Sequence, residues 1–494
     1  MLIKKDQDVI RGYFEDSSNL KGGHADSVAF PEDITALSEF VKEANQNKLP
    51  ITISGGGTGT TGSRIPFGGI VVSLEKFNKI IEISEGGFRA IVQAGVLVED
   101  FKNECERKGL FYACYPTEKT AFLGGTVATN ASGSRSFKYG STRIYVERLK
   151  MVLASGEIYE IKRGQNLLTK KYSTIRLDSG QEIKIPLPAY KMPKVKNSAG
   201  YFARTGMDAI DLFIGQEGTL SIIVEMELGL TKKPPKIFSS FVFFKEYSDS
   251  WNFAAEARTL SKDKNKADGI DALSIEYFDE NALKLLRQKN SAVPKDASAA
   301  IFFEQEAAGA DEERSVDSWL KLISKHNAFL DNTWVAMTEK MRETFTQFRH
   351  AIPESINEIV KRNGFRKIST DIAVPESKFL DMMRCYAGAL KRAGIEHAVF
   401  GHIGECHVHV NLLPRDEKEL KISEEICLKF VKKAVALGGT VSAEHGIGKT
   451  RREYLEEMYG HEGILEMARI KKALDPNCVL GLDNIFPKEA LGLV

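Results

Sequence analysis

The sequence lacks the patterns that mark three large classes of protein. Its six cysteines include no CxxC pair, so the usual ligand spacing of a cysteine-built zinc site or iron–sulfur cluster is missing. No apolar run reaches the roughly 18 residues that a membrane-spanning helix needs. Lys and Arg (68) balance Asp and Glu (67) and are spread along the chain, whereas a nucleic-acid-binding protein would show a basic stripe. These absences favour an ordinary soluble globular protein.

Length and the N-terminus narrow the class further. With 494 residues the chain is too long for one core, so we expect two or three domains. Lys4, Lys5 and Asp6 lie where a signal peptide needs an apolar segment. Scattered thiols in a large chain are typical of reduced, intracellular proteins. We therefore expect a cytoplasmic protein without a transmembrane segment, and the sequence leaves peripheral contact with the inner face of the membrane open.

A glycine-rich loop follows a short apolar strand at residues 50–53. Its sequence, Gly57-Thr58-Gly59-Thr60-Thr61-Gly62, matches the GxGxxG fingerprint of NAD-binding Rossmann domains, in which the loop opens a helix. Here Pro66 follows, and the chain turns into a second strand at residues 70–74, so no helix fits. The Rossmann interpretation is disfavoured, and so is a mobile linker, because the loop lies between two apolar strands. Neighbouring glycines still allow backbone N–H groups to converge on a phosphate.

Two further stretches of small residues also lie beside apolar segments. One covers residues 121–134 and contains Gly124-Gly125 and Gly133. The other is Gly215-Gln216-Glu217-Gly218-Thr219-Leu220, directly before an apolar strand. Three such loops suit a long ligand that approaches the backbone closely along its length.

The three loops resemble those of the vanillyl-alcohol-oxidase type of FAD-binding enzymes, in the branch that contains D-lactate dehydrogenase, glycolate oxidase and D-2-hydroxyglutarate dehydrogenase. The resemblance runs from about Pro31 to Phe486. It implies FAD as the cofactor, held non-covalently, because the loop from Ser54 to Ser63 has no histidine or cysteine that could bond the flavin. The residues that it implies for FAD binding are Gly55, Gly56, Gly57, Thr58, Gly59, Gly62, Pro116, Gly124, Gly125, Asn130, Gly133, Glu217 and Gly218.

Four of the nine histidines fall between residues 396 and 412. In a strand over residues 407–412, alternation places His407, His409 and Asn411 on one face and the valines and Leu412 in the core. Imidazoles with one carboxylate are a common zinc or manganese set that leaves a position open for substrate. Glu444 is the candidate carboxylate. Histidines that serve only the packing of the core are the alternative.

The resemblance assigns roles within this group. Metal-dependent members of the family carry H-x-G-D-G-N-x-H and, later in the chain, E-H-G-x-G. By resemblance His402, His409 and Glu444 are ligands of a divalent metal ion, Zn²⁺ or Mn²⁺. By the same resemblance, His445 is the catalytic base. A histidine accepts a proton near neutral pH, as the oxidation of an alcohol requires.

This sequence departs from the family pattern inside the first motif. Glu405, Cys406 and His407 stand where aspartate, glycine and asparagine are usual. His407 replaces an asparagine that lies near the substrate, so it is a catalytic candidate whose role is open between substrate contact and an additional metal ligand. Arg349 resembles the arginine that binds the substrate carboxylate, and Lys367 is a second candidate for that role.

We therefore expect an α+β protein. The resemblance implies a two-subdomain FAD-binding domain of vanillyl-alcohol-oxidase type over residues 1–232. A ferredoxin-like α+β substrate-cap domain over residues 233–437 follows it. Residues 438–494 are expected to form a C-terminal segment that returns to the FAD site and carries the E-H-G motif.

The resemblance implies FAD-dependent oxidation of a small 2-hydroxy acid, of the D-lactate, glycolate or D-2-hydroxyglutarate type, to the 2-oxo acid. It also implies hydride transfer to the non-covalent flavin, assisted by a divalent metal ion. The electron acceptor is a separate molecule, and a quinone, an electron-transfer flavoprotein, a cytochrome and oxygen all stay open. Neither a nucleic-acid partner nor an iron–sulfur relay inside this chain is expected. The alternatives are a flavin-binding partner subunit of an oxidase complex and a non-redox flavoenzyme of the alkyl-dihydroxyacetone-phosphate synthase type. Members of the latter type have a histidine run in place of the E-H-G motif.

Overall fold

The computed structural model describes residues 1–168, 172–177, 179–263, 269–306 and 311–493. The strands up to residue 232 are β1 (Leu2–Lys4), β2 (Ser27–Phe30), β3 (Ile51–Ser54), β4 (Ile70–Ser73), β5 (Ile80–Ser84), β6 (Arg89–Gln93), β7 (Leu110–Phe111), β8 (Val146–Leu153), β9 (Ile158–Lys162), β10 (Tyr172–Arg176), β11 (Glu182–Pro186), β12 (Ser221–Gly229) and β13 (Thr231–Lys232). The α-helices of this part are α1 (Gln7–Ile10), α2 (Ile34–Gln46), α3 (Val98–Arg107), α4 (Leu123–Thr129), α5 (Ser136–Tyr139) and α6 (Ile210–Phe213).

Helix α2 shows how local sequence builds this half. The Asp33 side chain caps the helix by accepting a hydrogen bond from the Ala36 N–H at 2.9 Å. Leu37, Phe40 and Val41 recur at helical spacing and are buried. Burial of each such side chain contributes about 1.5–3 kcal/mol to the free energy of unfolding. The cap and the buried face together account for this helix.

Two sheets form the N-terminal half. One has four strands in the order β1-β2-β4-β3, with β3 and β4 parallel, and the other has five antiparallel strands in the order β5-β6-β12-β8-β9. The connection from β3 to β4 carries the first glycine-rich loop. All of residues 55–69 are described, and none of them lies in a helix, as the sequence predicted.

The second part of the chain is built on one antiparallel sheet, which is called the cap sheet below. Its main strand order is β17-β14-β16-β15-β20-β21-β18, and β19 pairs with β21. Its strands are β14 (Ile237–Phe244), β15 (Ala272–Asp279), β16 (Ala299–Glu306), β17 (Trp334–Ala336), β18 (Ile368–Ser369), β19 (Ile372–Ala373), β20 (His397–Gly401) and β21 (His407–Leu412). Its helices are α7 (Tyr247–Lys262), α8 (Glu280–Lys289), α9 (Asp311–Lys325), α10 (Glu339–Asn363), α11 (Glu376–Ala393) and α12 (Glu417–Ala436).

Both faces of this sheet are covered, because its strands are apolar on both sides. Along β14, Phe238 and Phe244 belong to the large core that continues into the N-terminal half. Phe241 and Phe243 belong to a second cluster beneath α8 and α10. Strand β21 has the predicted bounds, but all six of its residues are buried, not only one face. The predicted α+β class is confirmed.

The chain returns to the N-terminal half after α13 (Arg452–Leu474). The Ile51 N–H donates to Val479 O at 2.7 Å, and the Gly481 N–H donates to Ile51 O at 2.9 Å. Residues near the end of the chain therefore pair beside β3, the strand that leads into the first glycine-rich loop. Among the helices of the described residues, none is both long and apolar enough to cross a membrane.

Candidate active site

The three glycine-rich loops converge on one long cleft. Its cavity volume is about 310 Å³, within the ~300–1,000 Å³ that is usual for small-molecule and cofactor sites. The cleft therefore has the volume of a ligand site, and it opens to solvent. The sequence-predicted cofactor residues that line it are Gly55, Gly56, Gly57, Thr58, Gly59, Pro116, Gly124, Gly125, Glu217 and Gly218.

At three of these glycines, neither steric crowding by the protein nor the backbone conformation requires glycine. A Cβ added at Gly125 would meet no described atom within 4 Å, and at Gly55 and Gly59 the first contact would be at 3.9 Å. All three lie in the described part of the chain, and none of them has a left-handed φ. A ligand that occupies the space of the missing side chains explains their identity. The cleft thus fits a cofactor such as FAD that lies against the backbone.

Polar groups line the same loop. The hydroxyl of Thr60 is buried and has no hydrogen-bond partner among the described residues. Arg64 also lines the cleft, where its Nε donates to Ser54 Oγ at 2.8 Å and its guanidinium lies over the ring of Tyr13. Glycine N–H groups, a hydroxyl and a guanidinium are suited to phosphate oxygens. The sequence analysis missed Arg64, although a cation directly after a glycine-rich loop is a readable signal.

Three predicted cofactor residues are not among the described residues that line the cleft. Gly62 has a φ of +78°, and a Cβ at Gly133 would lie 2.4 Å from Tyr115 O. Asn130 ends α4 with a φ of 50°, and its Oδ1 accepts a hydrogen bond from the Arg143 N–H at 3.0 Å. In this structure the three residues set the shape of the loops around the cleft.

Glu217 connects the loops to the C-terminal segment. Its carboxylate accepts hydrogen bonds at 2.7 Å from Ser63 Oγ, Ile447 N and Gly448 N. Burial raises the pKa of Glu217, and these donors oppose that rise. One carboxylate therefore joins the first loop, the third loop and the segment that carries His445.

The inner end of the cleft is lined by His402, Glu444 and His445. Glu444 Oε1 lies 3.2 Å from His402 Nε2, 3.3 Å from His409 Nε2 and 3.5 Å from His445 Nε2. Donor atoms of His402, His407, His409 and Glu444 lie within 4.8 Å of one another. The histidine cluster is the name used below for the five residues His402, His407, His409, Glu444 and His445.

A hairpin and a loop assemble the histidine cluster. His402 directly follows β20, and the turn Ile403–Glu405 brings the chain back into β21, which carries His407 and His409. Glu444 and His445 lie in the loop between α12 and α13. Strand β19 places this loop against the hairpin, because it pairs with β21 and also forms an isolated bridge to Thr440.

Two histidines of the cluster hold their outer ring nitrogen on an oxygen atom. His402 Nδ1 lies 2.6 Å from Glu276 Oε1, and His409 Nδ1 lies 3.1 Å from Thr370 O. Both rings therefore direct Nε2 towards Glu444. An imidazole with a carboxylate or carbonyl behind it is the usual arrangement of a histidine that binds metal. The donor set of His402, His409 and Glu444 fits a divalent metal ion.

Asp371 is a second buried carboxylate, which the sequence analysis missed. It accepts hydrogen bonds from Ser442 Oγ and Arg451 Nη1, both at 2.7 Å, and from the His445 N–H at 2.9 Å. Its Oδ2 lies 3.4 Å from His445 Nδ1, and its Oδ1 lies 3.0 Å from His407 Nε2. Asp371 therefore supports the two histidines that Glu276 and Thr370 do not reach.

Lys196 binds the other side of Glu444. Its Nζ lies 2.8 Å from Glu444 Oε2 and 2.8 Å from Glu405 Oε2, and Ser136 Oγ donates to the same oxygen of Glu405 at 2.6 Å. Because the ammonium group holds Oε2, Glu444 turns only Oε1 towards the histidines. The structure thus gives Glu405, one of the residues that depart from the family pattern, a place in the support of Glu444.

Charge outweighs burial at both carboxylates. Burial alone would raise the pKa of Glu444, but His402 and Lys196 hold that pKa well below its usual value. Burial acts in the same direction on Asp371, but its interactions with His445, Arg451 and His407 hold its pKa well below the usual value too. Both side chains are therefore carboxylates at neutral pH.

The histidines differ among themselves. Burial lowers the pKa of His445 to about 4 and that of His407 to about 3, so both are neutral imidazoles near pH 7. At His402, burial is outweighed by Glu276 and Glu444, which raise the pKa to about 10. The position between these two carboxylates therefore favours a cation, which a proton or a metal ion can supply.

The two predicted substrate cations lie behind the cluster. Arg349 Nη2 pairs with Glu276 Oε2 at 3.0 Å, and Glu276 in turn holds His402. Burial and the charge of Arg451 lower the pKa of Lys367. Neither Arg349 nor Lys367 is among the described residues that line the cleft. Their contact with substrate stays a prediction.

The residues missed by the sequence analysis differ in how readable they were. Glu276 is a lone carboxylate in the middle of the apolar strand β15, and a charge in such a place needs a partner. Asp371 lies in a similar setting, before the apolar residues of β19. Lys196 lies in a polar loop, which offers no such signal.

Comparisons with known proteins agree with this geometry. Residues 25–162 match the FAD binding domain, and residues 249–481 match the C-terminal domain of FAD linked oxidases. The chain is 29% identical over 470 residues to the glycolate oxidase subunit GlcD of Bacillus subtilis (strain 168), with 94% of this chain and 90% of that protein covered.

Two other relatives have similar coverage. Identity is 27% over 464 residues to a D-lactate dehydrogenase of Anaerostipes hadrus, covering 92% of this chain and 88% of that protein. It is 26% over 499 residues to a D-2-hydroxyglutarate dehydrogenase of Stutzerimonas stutzeri (strain A1501), covering 98% and 96%. Among solved structures, an alkyldihydroxyacetonephosphate synthase superposes with a TM-score of 0.67 at 15% identity, over 97% of this chain and 82% of that one. This last likeness shows a shared fold.

Proposed function

We propose a reaction for this chain from the family to which it belongs, the FAD-linked oxidases of the vanillyl-alcohol-oxidase fold. It oxidises a small 2-hydroxy acid, of the D-lactate, glycolate or D-2-hydroxyglutarate type, to the 2-oxo acid. One observation carries the proposal: the cleft that fits FAD ends at His402, Glu444 and His445. A cofactor site and a proton acceptor thus share one cavity.

The residues of the cleft hold FAD without a covalent bond. Backbone N–H groups of the first loop, with Thr60 and Arg64 beside them, bind the phosphates, and the open faces of Gly55 and Gly125 admit the rest of the cofactor. FAD supplies the two-electron acceptor of the reaction when it is bound.

A divalent metal ion, Zn²⁺ or Mn²⁺, completes the site in this proposal. His402, His409 and Glu444 hold it, with Glu276 fixing the ring of His402. The ion supplies a Lewis acid that makes a bound hydroxyl more acidic.

His445 takes the proton of the substrate hydroxyl. Its ring is 30% exposed, so it is the cluster histidine most open to the cleft, and burial keeps it neutral at pH 7. Nε2 accepts the proton, and Asp371, 3.4 Å from Nδ1, stabilises the imidazolium that results. The orientation of His445 rests on this carboxylate, which also binds the His445 N–H.

The electron acceptor is a separate molecule, of the quinone, electron-transfer flavoprotein, cytochrome or oxygen class. All six cysteines lie in the described residues, and none of them forms a disulfide. No two of them are spaced as CxxC, so a further redox centre belongs to a partner. The relative from Bacillus subtilis is named a subunit, which supports such a partner.

The test is anaerobic bleaching of the flavin in the purified protein. A panel of D- and L-2-hydroxy acids is mixed with protein treated with a chelator and with protein reloaded with Zn²⁺ or Mn²⁺. We expect one D-2-hydroxy acid to bleach the metal-loaded flavin, and His445→Ala to slow bleaching about 10²–10⁴-fold while FAD stays bound.

Other outcomes separate the alternatives. A flavin spectrum that no hydroxy acid bleaches would favour the partner subunit or the non-redox flavoenzyme. Bleaching that is equally fast after removal of the metal would support the proposed oxidation and contradict the proposed role of the metal ion. A protein that carries no flavin would overturn the whole proposal.

A further inference from the structure

We infer that His407 is a fourth protein ligand of the metal ion, so that the site is built from three imidazoles and one carboxylate. This inference rests on the proposed metal site and adds a residue that the family pattern does not provide there. It is carried by the burial of His407 and by its lack of hydrogen-bond partners.

His407 is completely buried inside the cluster. Its side chain has no exposed surface, and neither Nδ1 nor Nε2 has a hydrogen-bond partner among the described residues. A donor atom of His407 nevertheless lies within 4.8 Å of donor atoms of His402, His409 and Glu444. Polar atoms in the interior are almost always paired, so these nitrogens indicate a missing partner.

The surroundings of His407 follow the pattern of its two neighbours. His402 and His409 each turn one nitrogen to an oxygen atom behind the ring. At His407, Nε2 lies 3.0 Å from Asp371 Oδ1, a short contact that is poorly aligned for a hydrogen bond, and this oxygen also has no partner among the described residues. A small rotation that completes this contact leaves Nδ1 with its lone pair for a metal ion.

Contact with substrate explains these observations less well. The cleft is lined by His402, Glu444 and His445, whereas His407 is not among the described residues that line it. A substrate in the cleft would meet those three side chains before it met His407. The asparagine position of the family pattern is thus occupied here by a residue that binds the metal ion from the side away from the cleft.

The number of ligands restricts the kind of ion. A tetrahedral Zn²⁺ with four protein ligands has no position left for substrate, as in structural zinc sites. A six-coordinate ion such as Mn²⁺ keeps two positions, which suit the hydroxyl and carboxylate oxygens of one 2-hydroxy acid. The fourth ligand therefore predicts a six-coordinate ion at this site.

Cobalt provides the test. The FAD-containing protein is stripped with a chelator, and Co²⁺ is titrated into wild type, His407→Asn, His409→Asn and the control His397→Asn. His397 lies on the same hairpin but contacts Ile395 O and the side chain of Asn281, outside the cluster. Difference spectra against the metal-free protein remove the flavin absorption and report Co²⁺ affinity and coordination.

We expect wild type to give the weak band of six-coordinate Co²⁺, and His397→Asn to match it. His407→Asn and His409→Asn should each weaken Co²⁺ binding at least about 100-fold, a loss larger than that for residues behind the ligands. X-ray absorption on Co²⁺-loaded wild type should count three imidazoles, and this measurement needs no variant that folds.

Two results would overturn the inference. One is His407→Asn with wild-type Co²⁺ affinity and spectrum while His409→Asn loses the metal, which leaves the proposed metal site intact. The other is wild type that binds no Co²⁺, which removes the metal from the proposed function as well. Bleaching of the flavin by a hydroxy acid is measured separately, so the oxidation itself stands or falls on its own result.

Discussion

The cofactor cleft and the histidine cluster are adjacent, but they are built in opposite ways. The walls of the cleft are backbone and small side chains from three continuous stretches of sequence, and they leave space open. The cluster consists of large polar side chains in contact with one another. Its supporting charges, Lys196, Glu276 and Asp371, come from segments far apart in the chain.

This difference has an energetic consequence. The cleft is open space that contributes no side-chain packing. We therefore expect the stability of the FAD-free protein to be independent of how well the cleft fits a ligand. In the cluster each buried charge stabilises another, as Arg451 does for Asp371 and Lys196 does for Glu444. Removal of one partner leaves the other unpaired in the interior. Changes in the cleft should therefore affect binding, and changes in the cluster should affect stability and rate together.

The largest effect should follow from Asp371→Asn. The variant removes the charge beside His445 Nδ1 and leaves Arg451 buried without its partner. We expect the free energy of unfolding to fall by about 3–5 kcal/mol. We expect the rate of anaerobic flavin bleaching to fall about 10²–10⁴-fold, because the imidazolium of His445 loses its stabilising charge. Urea unfolding and stopped-flow absorbance measure the two quantities.

A double variant separates the two effects of this change. Arg451→Gln in the Asp371→Asn background removes the unpaired cation, so it should restore most of the stability but none of the bleaching rate. FAD content should stay at the wild-type level in both variants. A single variant with a wild-type bleaching rate would show that Asp371 serves packing alone.

The cleft is tested next by Gly125→Leu. Gly125 lies in α4 with open space where its side chain would be, so leucine enters the volume assigned to FAD. We expect FAD affinity to fall at least about 100-fold from this overlap. The FAD-free protein should be more stable by about 0.5–1 kcal/mol, because leucine favours a helix more than glycine does. Flavin absorbance per protein and urea unfolding check both; full retention of FAD would contradict the assignment.

A smaller effect is expected from Arg64→Gln, since Arg64 adds a charged donor to the backbone N–H groups and the hydroxyl of Thr60. Loss of a charged donor to phosphate should weaken FAD binding about 10-fold, or about 1.4 kcal/mol. The difference from wild type should shrink as salt is added, because salt screens a partly exposed charge. Arg176→Gln, on the surface hairpin where Arg176 pairs with Glu182, is the matched control and should bind FAD normally. Equal binding by both variants would remove Arg64 from the phosphate site.

The contrast also explains how much the sequence alone could predict. The cleft is readable because its signals are local: glycines beside apolar strands in three short stretches. The bounds of β21 and the absence of a helix after the first loop followed from equally local patterns. The domain types came from the resemblance to the family, and not from the patterns themselves.

The support of the cluster could not be predicted in this way. Glu276 and His402 are 126 positions apart, and Lys196 and Glu444 are 248 positions apart. Such pairs depend on how the cap sheet and the C-terminal segment pack, which no periodicity encodes. The burial of His407 has the same origin, because alternation predicts which face a residue occupies, and in β21 both faces are covered.

The smallest effect should come from Gly388→Ala, which completes the comparison. Gly388 lies in α11, and a Cβ there would meet only Arg392 Nη1, the end of a flexible side chain, at 3.4 Å among the described atoms. We expect a gain of about 0.5–1 kcal/mol in the free energy of unfolding, with FAD affinity unchanged. Gly125→Ala should give the same gain without FAD and weaker FAD binding. If the two alanine variants bind FAD equally well, the open space at Gly125 is not reserved for the cofactor, and the cleft loses the feature that distinguishes it from an ordinary helix surface.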